Sequence, residues 1–240
     1  SEDNGVSWTK SDVRDYWYSN FYEAGGYVFA SGNGCRIGRS EDGGRTWDIL
    51  NYQKAIEGWV DEKVLGESVC YAIAEMDGVL YVGDFYGGGV ICSKDYGETW
   101  EMTDRESLYI QIGDSPEKYM DNFYHLEPYK GKLYSFGLYS VHAYVPEQDK
   151  WETLPINSKC MASVTVINDV MVCGRAMPNY GTEVDYLLAC DGEQWGALGR
   201  PETDDNNVRA LGNDGKYLFS LHHGGPMYYS DNMGQTWNVT

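Results

Sequence analysis

A polar, glycine-centred stretch closed by tryptophan occurs three times: SEDGGRTW at 40–47, SKDYGETW at 93–100 and SDNMGQTW at 230–237. No other feature constrains the fold as much as this spacing. Six of the eight tryptophans, at 8, 47, 100, 151, 195 and 237, stand at intervals of 39, 53, 51, 44 and 42 residues. A period of about 40–50 residues implies a repeated supersecondary unit that buries its faces against its neighbours. Degenerate turns precede the other two internal tryptophans, PEQDKW at 146–151 and CDGEQW at 190–195.

Each repeat has the same inner grammar. A short polar turn leads into a strand in GGYVFASG (25–32), DGVLYVGD (77–84), KGKLYSFG (130–137), NDVMVCGR (168–175) and DGKYLFSL (214–221). Asp-Gly and Asn-Asp supply the positive-φ turns of hairpins, and the flanking aromatic and β-branched alternation is that of strands. A third strand runs into the tryptophan turn and a fourth follows it. No helical periodicity persists over a dozen residues. The expectation is an all-β chain of five four-stranded antiparallel units, at roughly 14–53, 68–104, 121–156, 160–199 and 206–240. A closed β-propeller, one domain over residues 1–240, is the economical stacking because closure protects strand edges. A short superhelical stack is the rival. Five blades follow from counting units; six, the alternative, would require a missing one. GVSWTK (5–10) reads as a lone fourth strand that closes the ring beside the short final NVT.

The tryptophan turn itself reads as construction. Ser40 and Asp42 can bond backbone groups inside the turn, Gly44 takes the left-handed residue, Thr46 restarts the strand and Trp47 wedges between blades. The same roles fall to Ser93, Asp95, Gly97, Thr99 and Trp100, and to Ser230, Asn232, Gly234, Thr236 and Trp237. The pattern S-x-D-x-G-x-T-W resembles the Asp-box, or BNR repeat, of sialidase-like β-propellers. In that family the boxes lie on the rim away from the active site, so the resemblance also implies scaffold rather than catalysis.

Composition narrows the partners. The formal charge is −19, from 37 acidic and 18 basic residues. Such a balance speaks against nucleic acid, which needs a basic stripe, and against docking on anionic lipid. No apolar run approaches the ~20 residues of a membrane helix. The polar start SEDNGVSW shows no signal peptide; an extracellular, periplasmic or cell-surface location is the expectation, with the start as a processed end. Cys35, Cys70, Cys92, Cys160, Cys173 and Cys190 sit mostly in apolar runs and read as buried thiols, and no spacing suits zinc. A bridge between Cys173 and Cys190 stays open. ETDDNN (202–207) lacks the ordered spacing of a calcium loop, so no cofactor or metal is indicated.

Recognition is expected on the loops after the second strands and on those leading into the first strands. Trp17, Trp59, Phe85, Tyr86, Tyr139, Tyr180 and His222 supply aromatic or imidazole faces there. Asp84, Asp121, Asn122, Arg175 and Arg209 supply directional polar partners. This combination suits a sugar ring or a protein surface. His222 and His223 read as a solvated pair whose side chains point oppositely, and His125 and His142 as structural. The preferred reading is a non-catalytic propeller binding a glycan or a protein, with oligomeric state left open. One alternative is a glycoside hydrolase. The sialidase resemblance would require an arginine cluster, for which Arg14, Arg105, Arg175 and Arg209 are the candidates. CRIGRS is similar to the Arg-Ile-Pro motif of that family, but Gly38 replaces the proline and the segment is a third strand, which counts against Arg36. A two-carboxylate mechanism could draft Asp15, Asp84, Asp121 or Glu183. The other alternative is a subunit of an extracellular or envelope assembly.

Overall fold

The computed structural model describes residues 1–11, 18–112, 114–156, 159–176, 186–202 and 207–240. They divide into two compact units, Ser1–Met102 and Thr103–Thr240. Among the described residues there are five four-stranded sheets, each antiparallel and ordered as the chain runs, and one two-stranded hairpin. Blade 1 comprises Tyr18–Ala24, Tyr27–Gly32, Arg36–Ser40 and Asp48–Asn51; blade 2 comprises Cys70–Met76, Val79–Asp84, Gly89–Ser93 and Glu101–Met102. The second unit holds three blades. Blade 3 is Phe123–Tyr129, Lys132–Gly137, Val141–Val145 and Lys150–Thr153; blade 4 is Met161–Ile167, Val170–Arg175, Leu187–Cys190 and Trp195–Ala197; blade 5 is Val208–Asn213, Leu218–His222, Met227–Ser230 and Asn238–Val239. The hairpin, Tyr109–Gln111 with Lys118–Met120, precedes blade 3.

Local chemistry accounts for the meanders. The first hairpin of four blades turns on two consecutive positive-φ residues: Gly25-Gly26, Asp77-Gly78, Lys130-Gly131 and Asn168-Asp169. That geometry matches the twist of the flanking strands. Inner strands are buried on both faces, as in GVICS at Gly89–Ser93. Every first strand carries a register shift after its opening residue, so the opening pairs Tyr18–Gly32, Cys70–Asp84, Phe123–Gly137, Met161–Arg175 and Val208–His222 are equivalent. A shared bulge re-aims the loops at the same end of each blade.

The three boxes are built alike. Ser40, Ser93 and Ser230 are buried. Each hydroxyl accepts the N–H of the box glycine, at 2.8, 2.7 and 2.8 Å, and donates to Asp42, Asp95 or Asn232. The Oδ1 of Asp42, Asp95 or Asn232 then accepts the threonine N–H at 2.8, 2.8 and 2.9 Å. Asp42 and Asp95 also accept the threonine hydroxyl, whereas Asn232 donates to it through its amide. Threonine therefore closes the turn, and the strands restart after the tryptophan. The degenerate turn of blade 4 keeps the logic with different atoms. Cys190 Sγ accepts the N–H of Gly192, and Asp191 accepts those of Glu193 and Gln194.

These turns are joints between consecutive blades of a unit. Gly97 packs on Leu50, where a Cβ would collide with the leucine. Arg39 of blade 1 donates to Tyr96 O at 3.0 Å and pairs with Glu98 at 2.8 Å. Trp100 meets the Tyr52 ring edge-on at 6.2 Å. In the second unit Trp195 packs on Tyr134, and Trp237 Nε1 donates to Gly199 O at 2.9 Å. The cores follow the same seams, with Phe29, Ile37, Leu80 and Ile91 in one unit and Phe136, Val141, Met171 and Leu188 in the other.

One expectation changes, and one open question closes. Residues 5–10 form no strand; they are a turn and an extended segment with Trp8 exposed. The N-terminal segment instead meets the first box, where Trp47 Nε1 donates to Ser11 Oγ at 2.9 Å and Arg45 pairs with Glu2. All six cysteines are buried free thiols, and Cys173 and Cys190 pack in one core without a bridge. Burial pushes the Cys35 thiol up to about 12 and that of Cys160 up to about 11.

Ser93→Ala leaves the buried Gly97 N–H without its acceptor, and a urea melt is expected to show a loss of about 1–3 kcal/mol. Hydrogen bonds from the Thr46 and Thr99 backbone and hydroxyl groups hold Asp42 and Asp95 down to about 2, from an ordinary 3.8. The folded value is the lower one, so this contribution is present at neutral pH and fades as pH falls from about 4 through about 2. Asp95→Asn, which copies Asn232, should flatten that acid limb in thermal melts taken from pH 7 down to pH 2.

Candidate functional site

The loops that follow the second strands are held by buried side chains. Asp84 ends the second strand of blade 2 and is fully buried. Its Oδ1 accepts the N–H groups of Tyr86 and Gly88, at 3.0 and 2.9 Å. Its Oδ2 accepts the hydroxyls of Tyr52, at 3.1 Å, and Ser68. The backbone wraps so closely that a Cβ on Gly88 would lie 2.7 Å from the Asp84 Cγ. Burial raises the Asp84 carboxyl above its ordinary range, against the lowering effect of those four donors.

Blade 3 reaches the same result by another route. Its equivalent of Asp84 is Gly137, and Asp121 comes from the loop leading into the first strand. A Cβ on Gly137 would fall inside the Asp121 carboxylate. That carboxylate accepts Asn122 N–H at 2.8 Å, Tyr139 N–H at 3.1 Å, Ser140 N–H at 3.0 Å and the Ser140 hydroxyl at 2.7 Å. Ser140 Oγ lies 2.9 Å from His142 Nε2, and His142 Nδ1 lies 3.1 Å from Thr153 Oγ1. Asp121 and His142 have no exposed surface.

The equivalent residues of blades 4 and 5 are Arg175 and His222, both buried. The Arg175 guanidinium lies over the Tyr186 ring at 5.6 Å, and the Arg175 backbone N–H donates to Tyr186 O at 3.0 Å. His222 Nε2 is 3.0 Å from Ser220 Oγ and its ring meets Tyr228 edge-on. His223 is exposed, so the two histidines do face opposite ways, but only one of them is solvated.

The sequence-derived set thus separates by chemistry. Asp84, Asp121, Arg175 and His222 are interior residues. Trp59 is 52% exposed and Tyr86 46% exposed, Arg209 is exposed, and Phe85, Asn122 and Tyr139 are half-buried. Asp84, Phe85 and Tyr86 share one loop, where Phe85 packs edge-on against both Tyr71 and Tyr86, at 5.0 and 5.3 Å. Asp121, Asn122 and Tyr139 also come together. Trp59 rides on a loop pinned by buried Tyr52, Ile56, Val60 and Leu65. Trp17 and Tyr180 lie outside the described residues, as do Arg14, Asp15 and Glu183. Ser68, Ser140 and Thr153 were missed as partners, whereas His142 is the hydrogen-bonded structural residue that its strand pattern implies. The signal available for Ser140 and Thr153 was the hydroxyl–imidazole alternation of SVH and the threonine that ends blade 3.

The second unit also contains a groove of about 380 Å³ lined by Tyr109, Ile110, Tyr139, Leu154, Ile156 and Lys159, with Ser140 and Thr153 among its lining residues.

Gly137→Ala should destabilise by about 1–3 kcal/mol through overpacking. The penalty should shrink when Asp121→Ala is added, so a double-mutant cycle should give a clear favourable coupling. Asp84 holds a proton more readily in the folded than in the unfolded state. Stability should therefore fall as pH rises above 3.8 through its raised value, and Asp84→Asn should remove that slope from a pH series of melts.

Comparison with known proteins agrees with this architecture. The family profile described as BNR/Asp-box repeat matches residues 228–239. No curated protein matches the chain by sequence. YCF48, in a structure described as bound to D1 peptide, is similar with a TM-score of 0.61 at 11% identity, over 95% of this chain and 70% of that one. The extracellular domain of BT4673 from B. thetaiotaomicron is similar with a TM-score of 0.64 at 9% identity, over 93% of this chain and 28% of that one. The WD40 domain of Neurospora crassa Pan2 gives 0.58 at 10% identity, over 92% and 64%. At these identities the likeness is one of fold.

Proposed function

Because this chain is an Asp-box (BNR) repeat β-propeller, we propose that it is a non-catalytic binding module that recognises a protein partner through loop-borne aromatic residues. One observation carries the reading. The loop acids Asp84 and Asp121 are buried and bonded to backbone N–H groups, while Trp59 and Tyr86 are about half exposed, Tyr86 on the very loop that Asp84 holds. A glycosidase pair must face its substrate with two carboxylates about 5–10 Å apart across the scissile bond. Asp84 and Asp121 point into backbone instead. Exposed aromatics on pinned loops suit a different task, since they lose little freedom on binding and dominate interface energetics. The use of a similar frame by YCF48, in the structure described as bound to D1 peptide, supports a peptide-binding role.

A peptide-display selection on the immobilised protein, run beside a glycan array and a fluorogenic glycoside panel, tests this. The expected outcome is peptide enrichment without turnover. Trp59→Ala and Tyr86→Ala should each weaken the selected peptides about tenfold or more without lowering the melting temperature. Turnover that disappears with a single carboxylate substitution, or glycan binding in the absence of any peptide, would contradict it.

A further inference from the structure

The groove of the second unit has the marks of a built site. Three of its walls are fixed by buried polar side chains. Arg105, 7% exposed, donates to the Tyr109 hydroxyl. Asp121 takes the N–H groups of Tyr139 and Ser140. His142 joins the hydroxyls of Ser140 and Thr153, at 2.9 and 3.1 Å. Burying a cation, an anion and an imidazole is unfavourable unless each is well bonded. Each of the three bonds to residues that line one groove, so its shape is set before anything binds. A preformed groove spares its ligand the ordering penalty of association.

The lining also specifies chemistry. Ile110, Leu154 and Ile156 present aliphatic surface, and Tyr109 and Tyr139 present rings. The charged lining residue is Lys159, which is exposed, in a chain whose net charge is −19. The backbone adds direction. Tyr109–Gln111 and Lys150–Thr153 are each the terminal strand of their sheet; the first lines the groove along its length and the second at Thr153, beyond the Trp151 N–H that Ser107 Oγ takes at 3.1 Å. Terminal strands present backbone groups to which an extended chain can pair.

We propose that this groove binds an extended peptide segment that places an aliphatic side chain against Ile110, Leu154 and Ile156 and a neighbouring carboxylate against Lys159. The proposal rests on the protein-binding reading above and adds to it a recognition surface of the second unit that does not include Trp59 or Tyr86. The carboxylate is that of an internal acidic side chain, as in a Leu-Glu pair.

Fluorescence anisotropy of the full chain with labelled octapeptides tests it. Four peptides share a Gly-Ser background: three amidated at the C-terminus, with Leu-Glu, Leu-Gln or Gly-Glu at the centre, and one ending in Leu with a free carboxylate. The Leu-Glu peptide is expected to bind tenfold or more tightly than the Leu-Gln and Gly-Glu controls, and tighter binding by the peptide ending in Leu would overturn the internal-carboxylate assignment. Lys159→Glu, an exposed change expected to leave the melting temperature alone, should abolish that preference. Lys159→Arg should keep it, and Trp59→Ala should not affect it. Equal binding by the Leu-Glu and Gly-Glu peptides, unchanged affinity with Lys159→Glu, or no binding by any of the four would overturn the groove. A display selection in which no enriched peptide is lost with Lys159→Glu, while some are lost with Trp59→Ala, would overturn the groove and leave the broader reading standing. An empty selection would overturn both.

Discussion

A backbone N–H at a turn has no strand partner, and burying it unbonded costs about 1–3 kcal/mol. A chain of short four-stranded meanders meets this problem at every corner, because its corners are packed against the next blade. Here the solution is a side-chain acceptor placed inside the turn. Ser40, Ser93 and Ser230 take the box glycine N–H, Asp191 takes two N–H groups in the degenerate turn, and Asp214 takes those of Lys216 and Tyr217. Asp84 and Asp121 do the same at the loops after the second strands. Once the corner is closed from within, its outer surface is free to pack, and Trp100 and Trp237 can seat on the preceding blade.

The same device separates construction from recognition. Charge consumed in closing a turn is not presented to a ligand. Asp84 and Asp121 therefore act as supports, and what they support is the position of Tyr86 and Tyr139. The pairing of Gly137 with Asp121 shows how specific this support is. Two blades set a carboxylate behind the same loop, one from the end of the second strand and one from the segment before the first. The glycine in blade 3 is required because the carboxylate arriving from elsewhere fills the volume of its missing side chain.

Much of the fold was legible because its signals are local. A turn that needs Ser, Asp, Gly and Thr at fixed offsets writes those residues into eight consecutive positions, and the tryptophan that follows marks the period. The loop acids were not legible in the same way. An Asp before Phe-Tyr-Gly-Gly or Asn-Phe reads equally well as a ligand group or a cap, and what decides between them is burial by Tyr52 and Ser68, or by Ser140 and His142, from distant parts of the chain. The N-terminal GVSWTK misled because Trp8 keeps the repeat spacing, yet its ring is exposed and the segment pairs with no strand. The groove drew on the leading loop at 105–122, where YIQI carries a strand alternation too short to weigh. Arg105 and His142, which fix its walls, become meaningful only once the sheets are formed.

The central claim is that side-chain acceptors, rather than strand pairing, hold these corners. Native-state hydrogen exchange followed by NMR tests it at single amides. The account predicts that Gly88, Tyr139 and Ser140, together with Gly44, Gly97 and Gly234, exchange as slowly as amides of the neighbouring strands. Exchange of these six at the rates of open loops, with the strands still protected, would contradict it.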